Sequence, residues 1–235
     1  MSAGWRWQIP LQTRTGNGYV YSSKHISDED ALSELNLALK GQEKITKSRV
    51  IKFETGSLKT PWYKNTIALG LAGSFFEPLE STSIHMTHKY TLELKNALIY
   101  GTNMKEEAQN FNATFNKDAL NIRDFLIAHY CTTQRSDTKF WRDMQSLTIP
   151  DTLQSYLTEF KNTGKITLPT GSLFPYQSWL QVLIGQEYIK DFTCFSKNKK
   201  DLNTEEATNY FTKIKNCINK EIENLPTLSN VLNLK

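Results

Sequence analysis

The stretch Phe75–His85, with the sequence FFEPLESTSIH, divides this chain into two parts of different character. A proline fixes one backbone angle between two carboxylates, Glu77 and Glu80. Three hydroxyl residues follow, and their side chains and amide groups could start a helix or hold an anion. Ser81 or Thr82 could be an ordinary helix cap, but the small apolar run at residues 67–73 favours a functional loop.

The patterns on the two sides of this stretch predict an α+β fold. Short strands and a hairpin should occupy the first third, followed by a mostly helical C-terminal region. We expect a hairpin over residues 5–23 that turns at Gly16-Asn17-Gly18, a strand at Arg49–Glu54 and a buried segment at 62–71. Apolar spacing predicts helices near residues 28–41, 84–100, 104–130, 139–147, 150–161, 177–184 and 204–223, with coil over the last dozen residues. The predicted domains are 1–83 and 84–235.

Composition excludes several classes of protein. The net charge of +4 comes from dispersed basic residues, which argues against nucleic-acid binding. No window approaches the ~20 apolar residues of a membrane span. Three cysteines, Cys131, Cys194 and Cys217, form no close pair, so we expect a cytoplasmic protein without disulfides. The four histidines form no recognisable set of metal ligands.

Two further segments carry unusual residues. The first, WRWQIP at residues 5–10, places two tryptophans at strand spacing, typical of core packing or of an aromatic wall against a planar ligand. The second, HYCTTQRSDTKFW at residues 129–141, fits a helix end followed by a new helix capped by Asp137. It also fits a polar and aromatic pocket for a flat substrate.

Together these segments resemble the flavin-dependent tryptophan halogenase family. The matching elements are Trp5-x-Trp7-x-Ile9-Pro10, the run Gly18–Ser23 followed by Ser27-Asp28, Glu77–Ile84, and His129-Tyr130 with Asp137–Trp141. Their order and spacing agree over roughly residues 4–145, with weaker similarity beyond.

The resemblance implies that the first third belongs to a flavin-monooxygenase-like domain that binds FAD and halide. In this family, a separate flavin reductase supplies reduced FAD, and oxygen converts it to a flavin hydroperoxide. Chloride or bromide then gives hypohalous acid, which reaches the aromatic substrate through a tunnel and a lysine. The implied substrate is tryptophan or another indole or aromatic compound.

The resemblance also assigns roles to individual residues. Glu80 matches the catalytic glutamate, which stabilises the cationic ring intermediate and removes the ring proton. The other implied roles are cofactor binding for Leu79 and Ser81, halide binding for Thr82 and Ser83, the tunnel for Trp5 and Trp7, and substrate binding for Tyr130, Phe140 and Trp141.

The sequence departs from the family in two places. Family members that take free tryptophan often carry a glutamate where Ser136 stands, which leaves room for a different indole. The chain also contains no GxGxxG motif, and the family's lysine belongs to the N-terminal region. We therefore expect a C-terminal halogenase portion that is inactive unless an N-terminal fragment complements it. The alternatives are a degenerate, non-catalytic truncated product and a fragment of a related flavin-dependent monooxygenase.

Overall fold

The computed structural model describes residues 1–190 and 204–231. The chain forms two compact units, Met1–Asp191 and Phe192–Lys235. The predicted α+β class is confirmed, because short antiparallel strands come early and helices dominate the rest. The proposed division at residue 83 stays a prediction. Cys131 and Cys217 are free thiols, and Cys194 lies outside the described residues.

The first element is an antiparallel hairpin of β1 (Gly4–Pro10) and β2 (Thr15–Tyr21). The predicted turn at Gly16-Asn17-Gly18 is wrong. The chain turns earlier, where the Leu11 amide donates to the Arg14 carbonyl at 2.7 Å, and the two glycines lie within β2. Gly18 is needed there for a different reason. The Trp7 indole covers it, and a Cβ at this position would lie 2.3 Å from the ring.

The remaining strands are pairs of two residues each: β3 (Gly56–Ser57) with β6 (Ser74–Phe75), and β4 (Trp62–Tyr63) with β5 (Thr66–Ile67). The predicted strand at Arg49–Glu54 is wrong. Its β-rich pattern finds no partner strand in the described parts of the chain, and the Ile51 side chain is 65% exposed.

The predicted helices are confirmed, with shifts of a few residues at their ends. They are α1 (Asp28–Ala38), α2 (Thr82–Tyr100), α3 (Met104–Cys131), α4 (Lys139–Gln145), α5 (Asp151–Thr163), α6 (Tyr176–Gly185) and, in the second unit, α7 (Thr204–Asn224). A four-residue helix, α8 (Leu228–Val231), replaces part of the expected terminal coil. Among the described residues, no helix has both the length and the apolar character needed to cross a membrane.

The core of the first unit forms around α3, which contacts α2 on one side and α5 and α6 on the other. The Tyr90 ring packs edge-on against Phe111 and Phe115, with centroids 5.1 and 4.8 Å away. The small-residue run before the opening stretch also serves this core. A Cβ at Gly73 would lie 2.8 Å from the chain's own Ala68 carbonyl, so close packing within the chain explains this glycine.

The first residues of the chain are fastened to α4. The Trp141 indole N–H donates to the Met1 carbonyl at 3.1 Å, and the Thr138 hydroxyl donates to the Ser2 carbonyl at 2.6 Å. Beside them, His25 Nε2 lies 2.9 Å from Asp143. These contacts hold the β1–β2 hairpin against the junction of α3 and α4, where the candidate site lies.

Candidate functional site

The strap, which we define as residues 77–83, joins β6 to α2. After Pro78 the chain makes a tight turn at Leu79–Ser81 and enters α2 directly at Thr82. Glu80 and Ser81 both adopt left-handed backbone angles, with φ of 65° and 54°. Such angles cost a residue with a side chain about 1–2 kcal/mol each. Two in succession mean that the surrounding contacts, rather than local preference, hold the strap in place.

Glu77 is the half-buried anchor of the strap. The Tyr130 hydroxyl, at the end of α3, donates to Glu77 Oε1 at 2.6 Å. Burial raises the pKa of Glu77, while the Tyr130 hydrogen bond, the Trp5 indole N–H and nearby His129 lower it. The Trp5 N–H is buried and falls short of a formed hydrogen bond, so its influence on Glu77 is electrostatic. Burial and Glu77 together raise the pKa of Tyr130.

Glu80 points to a different partner on the same helix. Its Oε1 lies 3.2 Å from His129 Nε2, with the glutamate side chain 38% exposed and the histidine side chain 16% exposed. The other ring nitrogen, Nδ1, lies 2.8 Å from the Phe125 carbonyl one turn earlier. A carbonyl can only accept, so Nδ1 carries a proton and Nε2 faces the carboxylate.

The start of α2 leaves polar groups without partners. Ser81 occupies the N-cap position, but its side chain makes no capping hydrogen bond. Thr82 is 2% exposed, and its hydroxyl oxygen has no hydrogen-bond partner within the described parts of the chain. The first amides of a helix carry partial positive charge, so an uncapped start beside a buried hydroxyl is suited to a small anion.

A cavity of about 510 Å³ opens beside the strap. Four of the residues singled out from the sequence line it: Trp5, Leu79, Tyr130 and Trp141. His129 and the turn at 185–187 also form part of the wall. The rings of Tyr130 and Trp141 are nearly parallel, 20° apart, with centroids 6.3 Å apart. The Arg135 guanidinium covers the Trp141 ring at 4.5 Å and pairs with Asp137. The cavity therefore offers aromatic surfaces with a polar rim.

Not all of the predicted site residues lie at the cavity wall. Phe140 is buried beside Ala3 and Trp141 and is not part of the cavity lining. Trp7 lies over Gly18 and is likewise absent from the lining. Glu80 approaches the cavity through His129, a wall residue. Ser81, Thr82 and Ser83 lie together at the start of α2. The functional roles expected of all these residues stay predictions.

Sequence reasoning assigned no role to Glu77 or His129. Each makes a contact with a residue about fifty positions away, Glu77 with Tyr130 and His129 with Glu80. The sequence signal was present in part, because Glu77 belongs to the paired carboxylates and His129 adjoins Tyr130. Only the packing of the strap against α3 brings the two pairs together.

Comparison with known proteins identifies the family of this chain. A family model for tryptophan halogenases matches residues 1–195. The tryptophan 6-halogenase SttH of Streptomyces toxytricini is 30% identical over 190 residues, which are 78% of this chain and 36% of that protein. The 7-chloro-L-tryptophan 6-halogenase KtzR of a Kutzneria species is 31% identical over 192 residues, or 80% and 37% of the two chains.

A solved structure extends the match to the fold. Xcc4156, a flavin-dependent halogenase from Xanthomonas campestris, superposes with a TM-score of 0.87 at 32% identity, covering 99% of this chain and 46% of that one. The chain thus spans somewhat more than a third of these curated relatives and about half of this solved one. On the family match and the shared fold, this chain belongs to the tryptophan halogenase family.

Proposed function

We propose that this chain provides the strap and the aromatic side of a flavin-dependent halogenase that chlorinates or brominates tryptophan or another indole. The observation that carries the proposal is the strained strap, which sets Glu80 beside an aromatic cavity. Left-handed angles at residues with side chains persist only where the surrounding structure holds them, and such strained positions cluster at active sites. Membership of the tryptophan halogenase family is the reason for proposing halogenation as the reaction at this cavity.

Glu80 is the proposed catalytic base. An electrophilic halogen adds to the ring, and the resulting cation needs a nearby negative charge and an acceptor for the ring proton. The proton moves to a Glu80 oxygen, and the electron pair of the C–H bond returns to the ring. Trp5, Tyr130 and Trp141 would hold the flat substrate, with Phe140 supporting Trp141 from behind. Trp5 and Trp7 would lie near the tunnel.

The halide would be held at the start of α2. The amides of Thr82 and Ser83, which receive no capping bond from the Ser81 side chain, are donors of the kind that a chloride or bromide ion requires. The Thr82 hydroxyl, which has no hydrogen-bond partner among the described residues, adds a further donor. The Ser83 carbonyl accepts from the Thr87 hydroxyl at 2.8 Å, a contact within α2 that leaves the donors of Ser83 unaffected.

The strap also suits the edge of a flavin. Ser81 is exposed and Leu79 half-buried, so the backbone between them is open to a planar ligand. FAD, reduced by a separate flavin reductase, would allow dioxygen to act as the two-electron oxidant that turns halide into hypohalous acid. The sequence holds no GxGxxG motif, and the relatives are two to three times longer. We infer that the dinucleotide site and the lysine come from an N-terminal halogenase fragment.

Complementation tests the proposal. The chain would be co-expressed with the portion of Xcc4156 that it does not match, then supplied in air with FAD, a flavin reductase, NADH, bromide and indole. We expect brominated indole by mass spectrometry from the pair, and none from either part alone. The Glu80→Gln variant should give no product, while Glu93→Gln, on the exposed side of α2, should behave as wild type. Product from this chain alone would remove the need for complementation, and a silent pair would overturn the function.

A further inference from the structure

The contact between His129 and Glu80 defines a role that the proposed function leaves open. A carboxylate on a strained turn, 38% exposed, has several rotamers available, yet a base must present one oxygen to the ring. His129 is well suited to select one of them. Its ring is packed edge-on against Phe125, with centroids 4.8 Å apart, and only 16% of the side chain is exposed.

The hydrogen bonds fix the chemistry of this contact. Nδ1 must donate to the Phe125 carbonyl at 2.8 Å, because that oxygen has no proton to give. A neutral ring would then direct the Nε2 lone pair at the Glu80 carboxylate, 3.2 Å away, which is repulsive. The contact becomes attractive when Nε2 also carries a proton. Glu77 also interacts with His129 electrostatically.

The backbone of His129 is held as firmly as its ring. The Gln186 side-chain amide, at the end of α6, donates to the His129 carbonyl at 3.1 Å. Three elements therefore meet at this residue: the strap, α3 and the turn that follows α6. These polar contacts orient His129, which the filling of space in the core would not require.

We propose that His129 is a positioning residue for halogenation, an imidazolium that binds Glu80 Oε1 and leaves Oε2 free for the ring proton. The inference rests on the proposed function, since it assigns Glu80 the role of base. When the ring proton reaches Oε2, the Nε2–H bond to Oε1 persists, so the glutamic acid formed stays in place until it releases the proton to solvent.

Nuclear magnetic resonance of the ¹⁵N-labelled full chain tests the ion pair. Two-bond proton–nitrogen spectra distinguish protonated from unprotonated ring nitrogens, and the His129→Gln variant assigns the signals. With all samples at one fixed pH, we expect protons on both His129 nitrogens of the wild type, because Nδ1 faces a carbonyl and Nε2 faces a carboxylate. In Glu80→Gln, Nδ1 should keep its proton while Nε2 shifts toward the unprotonated form. Glu93→Gln is the matched control and should leave the spectrum unchanged. An unprotonated Nε2 in the wild type, or identical spectra for wild type and Glu80→Gln, would overturn the inference.

Kinetics of the complemented halogenase test the positioning. His129→Leu removes the donor and should lower kcat for indole roughly tenfold to a hundredfold with KM within about twofold, the size expected for a misplaced catalytic group. His129→Gln keeps an N–H near the position of Nε2 and should recover part of that loss. A working complex whose kcat is unchanged in His129→Leu would overturn this inference alone. A wild-type complex that makes no product would overturn the proposed function.

Discussion

Replacing Glu80 with glycine and with alanine should reveal the strain stored in the strap. Both variants lose the carboxylate and its contact with His129, so that loss cancels between them. At φ 65° alanine pays the left-handed penalty of about 1–2 kcal/mol, which glycine avoids. Glycine lowers the free energy of unfolding by up to about 1 kcal/mol relative to alanine, because the unfolded chain with glycine has more conformational freedom. Taking the middle of each range, we expect Glu80→Gly to be more stable than Glu80→Ala by about 1 kcal/mol.

The same pair of substitutions at Glu93 is the matched control. Glu93 lies in the interior of α2 and is exposed, where alanine exceeds glycine by about 1 kcal/mol. The order of stability should therefore reverse between the two sites. Urea unfolding followed by circular dichroism measures it, and thermal midpoints should differ by about 2–3 °C in each pair. If alanine proves as stable as glycine at position 80, the left-handed strap is not strained and the argument from its geometry fails.

Three other substitutions test separate parts of the site. Gly18→Ala should destabilise the chain by about 1–3 kcal/mol in thermal unfolding, because the new methyl group collides with the Trp7 indole; an unchanged midpoint would contradict that packing. Tyr130→Phe should lower the free energy of unfolding by about 1.5–3 kcal/mol near pH 8, because it removes a hydrogen bond to charged Glu77. Near pH 4 the loss should be about 0.5–1.5 kcal/mol. Burial raises the pKa of Glu77 above its unfolded value of 4.5, so the stability gained from protonating Glu77 is fully present below pH 4.5 and is lost as pH rises through the folded pKa. Loss of the Tyr130 hydrogen bond raises the folded pKa further, so the variant loses more stability at high pH than at low pH. An equal loss of stability at both pH values would refute the hydrogen bond from Tyr130 to ionised Glu77. Thr82→Val should raise stability by about 1 kcal/mol, because it removes a buried hydroxyl that has no hydrogen-bond partner among the described residues. It should also reduce any rise of the melting temperature with bromide at constant ionic strength, and a full bromide effect in the variant would exclude the Thr82 hydroxyl from the halide site.

Local patterns predicted the helices because their signals lie within one segment. Asn103 begins α3 by accepting from the Lys105 and Glu106 amides, and Phe111, Phe115 and Ile122 fall on its buried side. The amphipathic spacing of such a helix is readable without knowing its neighbours.

The hairpin turn and the strand at residues 49–54 could not be predicted in this way. Glycines mark tight turns, but they also leave room for large side chains from a facing strand. Gly18 serves the latter purpose, because the Trp7 indole lies over it. The pattern at 49–54 suits a strand, yet a strand requires a hydrogen-bonding partner.

The sequence nominates candidate site residues, but it does not give their geometry. The strap motif identified Glu80, Thr82 and Ser83 from their type and order. The His129–Glu80 contact depends on α3 lying beside the strap, and no spacing along the chain encodes it. Phe140 differs from the expectation in the other direction. Its aromatic type predicted a substrate contact, but the fold buries it beside Ala3 and Trp141.

The fastening of the first residues to α4 has a consequence for biosynthesis. The bonds from Thr138 and Trp141 to Ser2 and Met1 close loops of 136 and 140 residues. A ribosome adds about 5–20 residues per second, so the hairpin emerges on the order of ten seconds before its docking surface exists. A two-stranded hairpin is marginal by itself, so Trp5 and Trp7 are accessible to chaperones and proteases during that interval. Nascent chains stalled before α4 should be cut within the hairpin by added protease, and chains stalled after α4 should resist.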